Sequence, residues 1–149
     1  MATFTGSRPS VIPRLYAFDE DRAALYLHGA PVGETHGSVG EGAPVTLTVF
    51  EMGRLLPSDE ALEFSVEYAS VVIQGRVEVV EDEVEAGHGL RMLMEKYAPH
   101  LKAGRDYRPM TVEEVARTAV YRVDIESWSG KEKAEAPDFP GAYRFVDVR

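Results

Sequence analysis

The sequence predicts a mainly β protein, an antiparallel barrel of five or six strands with two or three short helices. Three segments alternate apolar and polar side chains with a period of two, as half-buried strands do: residues 23–28, 44–52 and 118–128. A clear apolar stripe at helical spacing occurs over residues 90–97. Because strands do not alternate with helices along the chain, a parallel sheet is disfavoured.

The start of the chain predicts a β-hairpin. We interpret residues 8–18 as one strand, which Pro9 and Pro13 restrict to a sheet edge or an irregular position. The charged turn at residues 19–22 then leads into a returning strand over residues 23–28. The chain is therefore expected to enter sheet structure almost at once.

The middle of the chain predicts a loop and two further strands. Three glycines within residues 34–42 weaken any helix there, so we expect at most one turn. Residues 44–52 alternate cleanly and form the next strand. Residues 62–81 form a long strand, in which Gly75 marks a bend or bulge that lets it serve two parts of a curved sheet.

Two helices precede the last strand of the body. The pairs Asp82 with Glu85 and Thr111 with Glu114 have the spacing of capping boxes, so a helix is expected to begin after Asp82 and another after Thr111. The final alternating segment, residues 118–128, then returns the chain to the sheet.

Composition limits the classes of function. The 149 residues suffice for one domain, which we assign to residues 1–133, with a tail over residues 134–149 that either frays or docks on a partner chain. A formal net charge of −9 disfavours nucleic acid as a partner. The sequence has no cysteine, no charged-then-apolar leader and no apolar run of about 20 residues. We therefore expect a cytoplasmic protein without a membrane span.

The segment from Ala24 to Gly33 is the first candidate binding site. A short apolar strand runs there into a turn of small residues, which places His28 at a strand end beside exposed main-chain amides. Such a place suits a flat ligand with an anionic tail. Considered alone, His28 is more often a hydrogen-bonded strand residue than a ligand-binding one. His88 and His100 are interpreted as surface residues, and the histidines lack metal-binding spacing.

Several segments in one order carry a family resemblance. These segments are Pro9–Tyr16, Leu25–Gly33, Leu56–Pro57, Glu63–Gly75, Glu95–Tyr97, Arg117–Tyr121 and Trp128–Lys131. Together they resemble the pyridoxamine 5′-phosphate oxidase-like flavin-binding split barrels, and among these the nitroimidazole-resistance branch. The resemblance covers most of residues 8–133, and the ordered set is much more specific than any single motif.

The resemblance implies a six-stranded split barrel that forms a homodimer, with two flavin sites in the clefts between subunits. FMN is the expected cofactor and FAD is the alternative. The residues that match the family's flavin site are Ser10, Val11, Ile12, Pro13, Leu27, His28, Gly29, Gly33, Tyr68, Ser70, Val71, Trp128 and Lys131. In the nitroimidazole-resistance branch the matching histidine faces the substrate, so His28 is the expected catalytic residue.

The resemblance also implies a flavin-dependent oxidoreductase that reduces a small aromatic compound, for example a nitroaromatic or nitroimidazole, with NAD(P)H as candidate electron donor. Glu34 and Thr35 stand where relatives often carry arginine or lysine, and Ala69 replaces a commonly basic residue. Three other basic residues could compensate: Arg8, Arg14 and Lys131. The departure favours a second hypothesis, a flavin-binding or small-molecule-binding protein that sequesters or senses without catalysis. A cleft for another planar ligand is a third.

Overall fold

The computed structural model describes residues 1–4, 6–39 and 42–148. Its strands are Ala2–Phe4 (β1), Pro9–Val11 (β2), Ala17–Asp19 (β3), Ala24–Gly29 (β4), Ala43–Leu56 (β5), Ser65–Val79 (β6) and Ala119–Lys133 (β7). Its α-helices are Glu34–Ser38 (α1), Glu83–Tyr97 (α2) and Val112–Ala116 (α3). Short 3-10 helices cover Ala61–Glu63 and Phe145–Val148. Within the described ranges, no helix is long and apolar enough to cross a bilayer.

The seven strands form one antiparallel sheet in the order β2-β1-β5-β6-β7-β4-β3. In the described chain the edge strands β2 and β3 do not pair with each other, so the sheet is not closed. The predicted mainly β class is confirmed, and the arrangement is consistent with a split barrel. The strand that the sequence analysis missed is β1, since three residues are too few to show an alternating pattern.

The expected single strand over residues 8–18 is two strands. β2 pairs with β1 through Thr3 opposite Ser10, and the chain then leaves the sheet for residues 12–16. It returns as β3, which forms the predicted hairpin with β4. Proline cannot donate a ladder hydrogen bond, and Pro13 lies in the interrupted stretch. Pro13 therefore divides the predicted strand, instead of only restricting it to a sheet edge.

The chain divides into two compact units. The first consists of Met1–Leu47 and Gln74–Ser127, and the second of Thr48–Ile73 with the chain from Trp128 onward. The largest fully buried side chains of the first unit come from β4, β6 and β7: Tyr26, Tyr121, Leu25, Leu27, Val77, Val120 and Val123.

Helix α2 packs on β4 in the first unit, and its Gly89 lies directly against the Tyr26 ring. Asp82 caps the helix by accepting a hydrogen bond from the Glu85 main-chain nitrogen at 2.8 Å, as predicted. The Glu85 carboxylate does not complete a capping box. It accepts instead from the Tyr26 hydroxyl at 2.7 Å and from Arg122 at 3.0 Å. Thr111 and Glu114 form the complete capping box of α3 that the sequence predicts.

Gly75 of β6 lies directly against the main chain of β7 in the first unit. A Cβ atom built on Gly75 would stand 2.2 Å from the carbonyl oxygen of Asp124. β6 itself runs unbroken from Ser65 to Val79. Glycine is therefore required at position 75 because the main chains of β6 and β7 approach each other closely there. This reason differs from the bend or bulge that the sequence predicts.

The second unit is fixed by an arginine on β5. Arg54 forms a two-point ion pair with Glu67 of β6, with its Nε 2.8 Å from Oε2 and its Nη2 2.6 Å from Oε1. It also donates to the main-chain oxygens of residues 135, 136 and 137 at 2.8–3.2 Å. Leu55 and Tyr143 exchange both main-chain hydrogen bonds, at 2.7 and 3.2 Å. The tail thus docks on its own chain.

Candidate functional site

The end of β4 and the turn after it form the candidate site of the first unit. β4 ends at Gly29, and the turn leads to Gly33, whose φ of 103° lies in the left-handed region that favours glycine. Helix α1 begins at the next residue. Leu27 pairs with Tyr121, and Tyr26 with Arg122, across β4 and β7. Because neighbours on a strand alternate faces, the side chains of Leu27 and Tyr121 share the face of Gly29, opposite His28.

His28 is exposed and directs its side chain away from the hydrophobic core. Its main chain pairs with Val120 of β7, and its carbonyl oxygen accepts a hydrogen bond from Arg14 Nη1 at 2.9 Å. Within the described ranges, the imidazole makes no hydrogen bond or ion pair. The His28 side chain is therefore not a hydrogen-bonded strand histidine, the alternative that its sequence position suggests.

The opposite face of the strand end carries a compact group of polar and aromatic side chains. The guanidinium carbon of Arg14 lies 5.7 Å from the centre of the Tyr121 ring. The Tyr121 hydroxyl lies 3.3 Å from the Ala30 carbonyl oxygen, to which it donates, and 3.3 Å from His36 Nδ1. We call Arg14, Gly29, Ala30, His36 and Tyr121 the strand-end cluster.

Gly29 makes room for this cluster. A Cβ atom at this position would lie 2.4 Å from Arg14 Nη1 and 3.3 Å from the Tyr121 ring. Any larger residue would push the guanidinium away from the strand. Burial raises the pKa of the Tyr121 phenol, and the positive charge of Arg14 opposes that rise. Tyr121 is therefore neutral near pH 7 and acts as a hydrogen-bonding group.

Arg14 lacks an acidic partner. Within the described ranges no carboxylate pairs with it, and its Nε is buried without a hydrogen-bond partner. Glu34, which follows the turn, lies 3.9 Å from Arg8. The strand end thus holds one positive charge that the described residues do not neutralise.

The predicted site residues that precede the β3–β4 hairpin, Ser10 to Pro13, differ in their exposure to solvent. Val11 is 74% exposed and Pro13 is exposed, whereas Ser10 and Ile12 are half-buried. Leu27, in contrast, is completely buried in the core of the first unit. Its side chain therefore supports the site from beneath and offers a ligand no surface of its own.

The remaining predicted residues belong to the second unit and are described by themselves. Tyr68, Ser70 and Val71 lie on β6, with Tyr68 exposed and the other two half-buried. Trp128 and Lys131 lie on β7, and the indole of Trp128 is 70% exposed. A Cβ atom on Gly130 would contact both the Ser70 carbonyl oxygen, at 3.6 Å, and the Trp128 ring, at 3.7 Å. Gly130 therefore lies close to both the Ser70 main chain and the Trp128 ring.

Sequence analysis missed the role of His36 and Tyr121, and it misplaced His88. His88 is half-buried, with its Nε2 2.7 Å from Asp19 Oδ2 and its ring edge-on to Tyr26. This hydrogen bond lowers the pKa of the Asp19 carboxyl. The hydrogen bonds of His88 and His36 join residues 69 or more positions apart, so spacing along the chain could not reveal them. Among residues 1–4, 6–39 and 42–148, no three histidine or acidic side chains could hold a metal ion.

Comparisons with known proteins agree with this arrangement of elements. The sequence profile of the family described as pyridoxamine 5′-phosphate oxidase matches residues 1–132. The FAD and heme binding protein of Mycobacterium smegmatis is 26% identical, with a TM-score of 0.76 over 92% of this chain and 65% of its own. The flavocytochrome Anf3 of Azotobacter vinelandii is 25% identical, with a TM-score of 0.74 over 90% of this chain and 60% of its own.

A third solved structure shares the fold at lower identity. A candidate 5-nitroimidazole antibiotic resistance protein of Bacteroides thetaiotaomicron is 20% identical, with a TM-score of 0.65 over 87% of this chain and 72% of its own. No curated protein matches the sequence. The chain spans less than two thirds of the flavocytochrome and of the FAD and heme binding protein.

Proposed function

This chain belongs to the pyridoxamine 5′-phosphate oxidase family of flavin-binding proteins, and on that basis we propose that it is a flavin-dependent oxidoreductase for small aromatic compounds. The observation that carries the proposal is the family match over residues 1–132. The flavocytochrome and the FAD and heme binding protein, at 25% and 26% identity, support a flavin as the cofactor, and the second of them favours FAD over the FMN expected above.

The first unit fits a flavin in three respects. Val11 and Pro13 offer exposed apolar surface for a flat ring. Gly29 leaves the space in which the Arg14 guanidinium lies at the strand end, and glycine at position 33 allows the turn to follow a ligand closely. Arg14 supplies a positive charge that pairs with no carboxylate among residues 1–4, 6–39 and 42–148. Ser10 and Ile12 complete the proposed flavin contacts of the first unit, Leu27 supports them from the core, and His28 faces the substrate beside the flavin.

The second unit contributes candidate aromatic and polar contacts. Trp128 and Tyr68 expose ring surface, and aromatic faces stack favourably on flat ligands. Ser70 offers a hydroxyl donor and Lys131 an ammonium donor, and the polar groups of a flavin can accept hydrogen bonds from both. We propose these four residues, with Val71, as the second-unit set.

The residues of this chain would position reactants and move a proton. A bound flavin supplies hydride transfer, which amino-acid side chains cannot perform. The exposed imidazole of His28 makes no hydrogen bond to the described residues, so it is available to donate a proton to a reduced substrate. We propose a nitroaromatic compound as a suitable substrate class and NAD(P)H as the electron donor.

A homodimer is part of the proposal. Large apolar side chains are exposed in the second unit, and a dimer interface would bury them. They are Phe50, Met52, Leu62, Phe64, Val72 and Trp128. Light scattering after gel filtration tests this part separately: a mass of one chain at micromolar concentration would contradict the dimer.

An absorption spectrum of the purified protein tests the cofactor, followed by mass spectrometry of what heat releases. We expect a flavin spectrum, and the released mass distinguishes FMN from FAD. The same spectrum would reveal heme, the second group named for the FAD and heme binding protein. A colourless protein that also takes up no added flavin would refute the proposal.

Catalysis requires its own experiment. Anaerobic addition of NADH or NADPH should bleach the bound flavin, and a nitroaromatic acceptor should restore its colour. His28→Ala should slow turnover and leave flavin affinity unchanged, because the imidazole is exposed and supports no described contact. Loss of flavin with an unchanged intrinsic rate would contradict the proton-donor role.

A binding protein without catalysis is the second candidate. Glu34 and Thr35 stand after the turn, and Glu34 lies near Arg8, so this position offers no free cation to a phosphate. Weak phosphate capture suits reversible sequestration better than a resident cofactor. Flavin that binds but is reduced by neither NADH nor NADPH, and that no nitroaromatic reoxidises after chemical reduction, would favour this candidate.

A further inference from the structure

We propose that Arg14 binds the phosphate of the flavin, in place of the basic residues that the turn lacks at positions 34 and 35. The inference rests on the proposed function and extends it to one residue. Arg14 lies in the segment between β2 and β3, outside any strand, and reaches the end of β4 through its side chain.

Arg14 is held in position by neutral groups. Its Nη1 donates to the His28 carbonyl oxygen at 2.9 Å, and its guanidinium plane lies near the Tyr121 ring. Gly29 leaves the space that the guanidinium occupies. The side chain is therefore fixed before any ligand arrives, which limits the entropy lost on binding.

Among the residues that the structure describes, no carboxylate compensates the charge of Arg14, unlike that of comparable arginines. Three arginines of the described chain are half-buried, namely Arg14, Arg54 and Arg122. Arg54 pairs with Glu67, and Arg122 pairs with three carboxylates. Burying a guanidinium without an acidic partner is unfavourable, so a missing anion is the simplest physical account of Arg14.

The unused donors of Arg14 show where an anion would bind. Nε is the one buried side-chain nitrogen or oxygen atom of the described residues that has no hydrogen-bond partner. Nη2 also donates to no described residue, and since it is not among the buried unpaired atoms, it is accessible. An oxyanion would meet Nη2 first. A small tilt of the guanidinium about the His28 contact then brings Nε into a two-point interaction, the geometry in which arginine binds phosphate.

The turn beside Arg14 favours a phosphate ester at this place. Gly29 lets the guanidinium lie against the end of β4, and Gly33, in the turn that follows, takes a conformation suited to glycine. The chain as a whole carries a formal net charge of −9, which repels anions elsewhere on its surface. A fixed arginine at a glycine-rich turn is thus the most suitable anion site that the first unit offers.

The test compares ligands that differ only at the phosphate. Apoprotein is titrated with riboflavin, FMN and FAD, and flavin fluorescence reports binding without any turnover. The variants are Arg14→Gln, Arg14→Lys and, as a matched control, Arg91→Gln, which removes an exposed arginine of α2 that has no carboxylate partner among the described residues. Inorganic phosphate is added as a competitor.

We expect Arg14→Gln to weaken FMN and FAD by about tenfold or more, since a charge-assisted hydrogen bond is lost, and to leave riboflavin within about twofold. Arg14→Lys should retain part of the affinity, and Arg91→Gln all of it. Phosphate should compete with FMN in the natural sequence and in Arg14→Lys. Circular dichroism confirms that each variant is folded.

The outcomes separate this inference from the proposed function. If the natural sequence binds none of the three flavins, the proposed function fails and this inference falls with it. If flavins bind but Arg14→Gln weakens riboflavin and FMN equally, only the inference is overturned. Should Arg14→Gln fail to fold, phosphate competition decides: no competition with FMN binding to the natural sequence overturns the assignment.

Discussion

Two glycines on one helix should respond to alanine in opposite directions. Gly89 of α2 faces Tyr26, and a Cβ atom there would stand 2.6 Å from the ring. The ring is completely buried, and its hydroxyl is hydrogen-bonded at 2.7 Å to both Glu85 and Arg22. Because Tyr26 is held at both ends, it cannot turn aside, and Gly89→Ala must displace the helix from the strand.

The size of the effect follows from two opposing terms. Alanine gains about 0.8–1 kcal/mol over glycine inside a helix. The new methyl and the Tyr26 ring must separate by roughly 0.8 Å to reach ordinary contact, and overpacking of this kind costs about 1–3 kcal/mol. The difference between the two terms is about 0–2 kcal/mol of destabilisation, so we expect Gly89→Ala to lower the free energy of unfolding by about 1 kcal/mol. For a chain of this size that lowers Tm by about 2–4 °C.

Gly87→Ala is the matched control, two residues away on the same helix. Its Cβ atom would meet the end of the Arg91 side chain at 3.3 Å, and that flexible side chain can move. We therefore expect stabilisation by up to about 1 kcal/mol. Urea unfolding followed by far-UV circular dichroism measures both variants. Equal shifts in the same direction would refute the reasoning, because the helix propensity term would then be the only one acting.

Two further predictions follow from other contacts. Gly75→Ala should destabilise the protein more than Gly89→Ala in the same urea experiment, since its methyl would meet the main chain of Asp124, which cannot adopt another rotamer. Hydrogen bonds from Arg54 lower the pKa of Glu67 from 4.5 to about 2, so tail attachment should be fully present above pH 4.5 and lost as the pH falls toward 2. Hydrogen exchange of the tail amides across this range, with Glu67→Gln already exchanging fast at pH 7, tests it.

Elements with a strong local pattern could be predicted from the sequence. β4, α2 and α3 are recognisable because alternation, helical spacing and capping residues lie within one segment. β1 is too short to carry a pattern. β7 runs five residues beyond the predicted strand end at Trp128, to Lys133, because its exposed last residues do not alternate in hydrophobicity.

The candidate site could be predicted only where the chain itself brings residues together. His28, Gly29 and Gly33 lie within one turn, and the resemblance singled them out. The strand-end cluster also needs Arg14 and Tyr121, which meet Gly29 only after β4 pairs with β7. Arg14 was one of three basic residues considered for the phosphate. Its buried Nε, which has no hydrogen-bond partner among the described residues, is a property of the folded chain alone.

The Arg54 contacts imply that the tail can change its sequence without changing its path. Arg54 binds main-chain oxygens at residues 135–137, which every amino acid possesses, and the Glu67 carboxylate accepts the main-chain nitrogen of Glu135. Side chains in this stretch are therefore unconstrained by that contact. Over evolutionary time, variation should accumulate in the tail, while Arg54 and Glu67 persist or are replaced together.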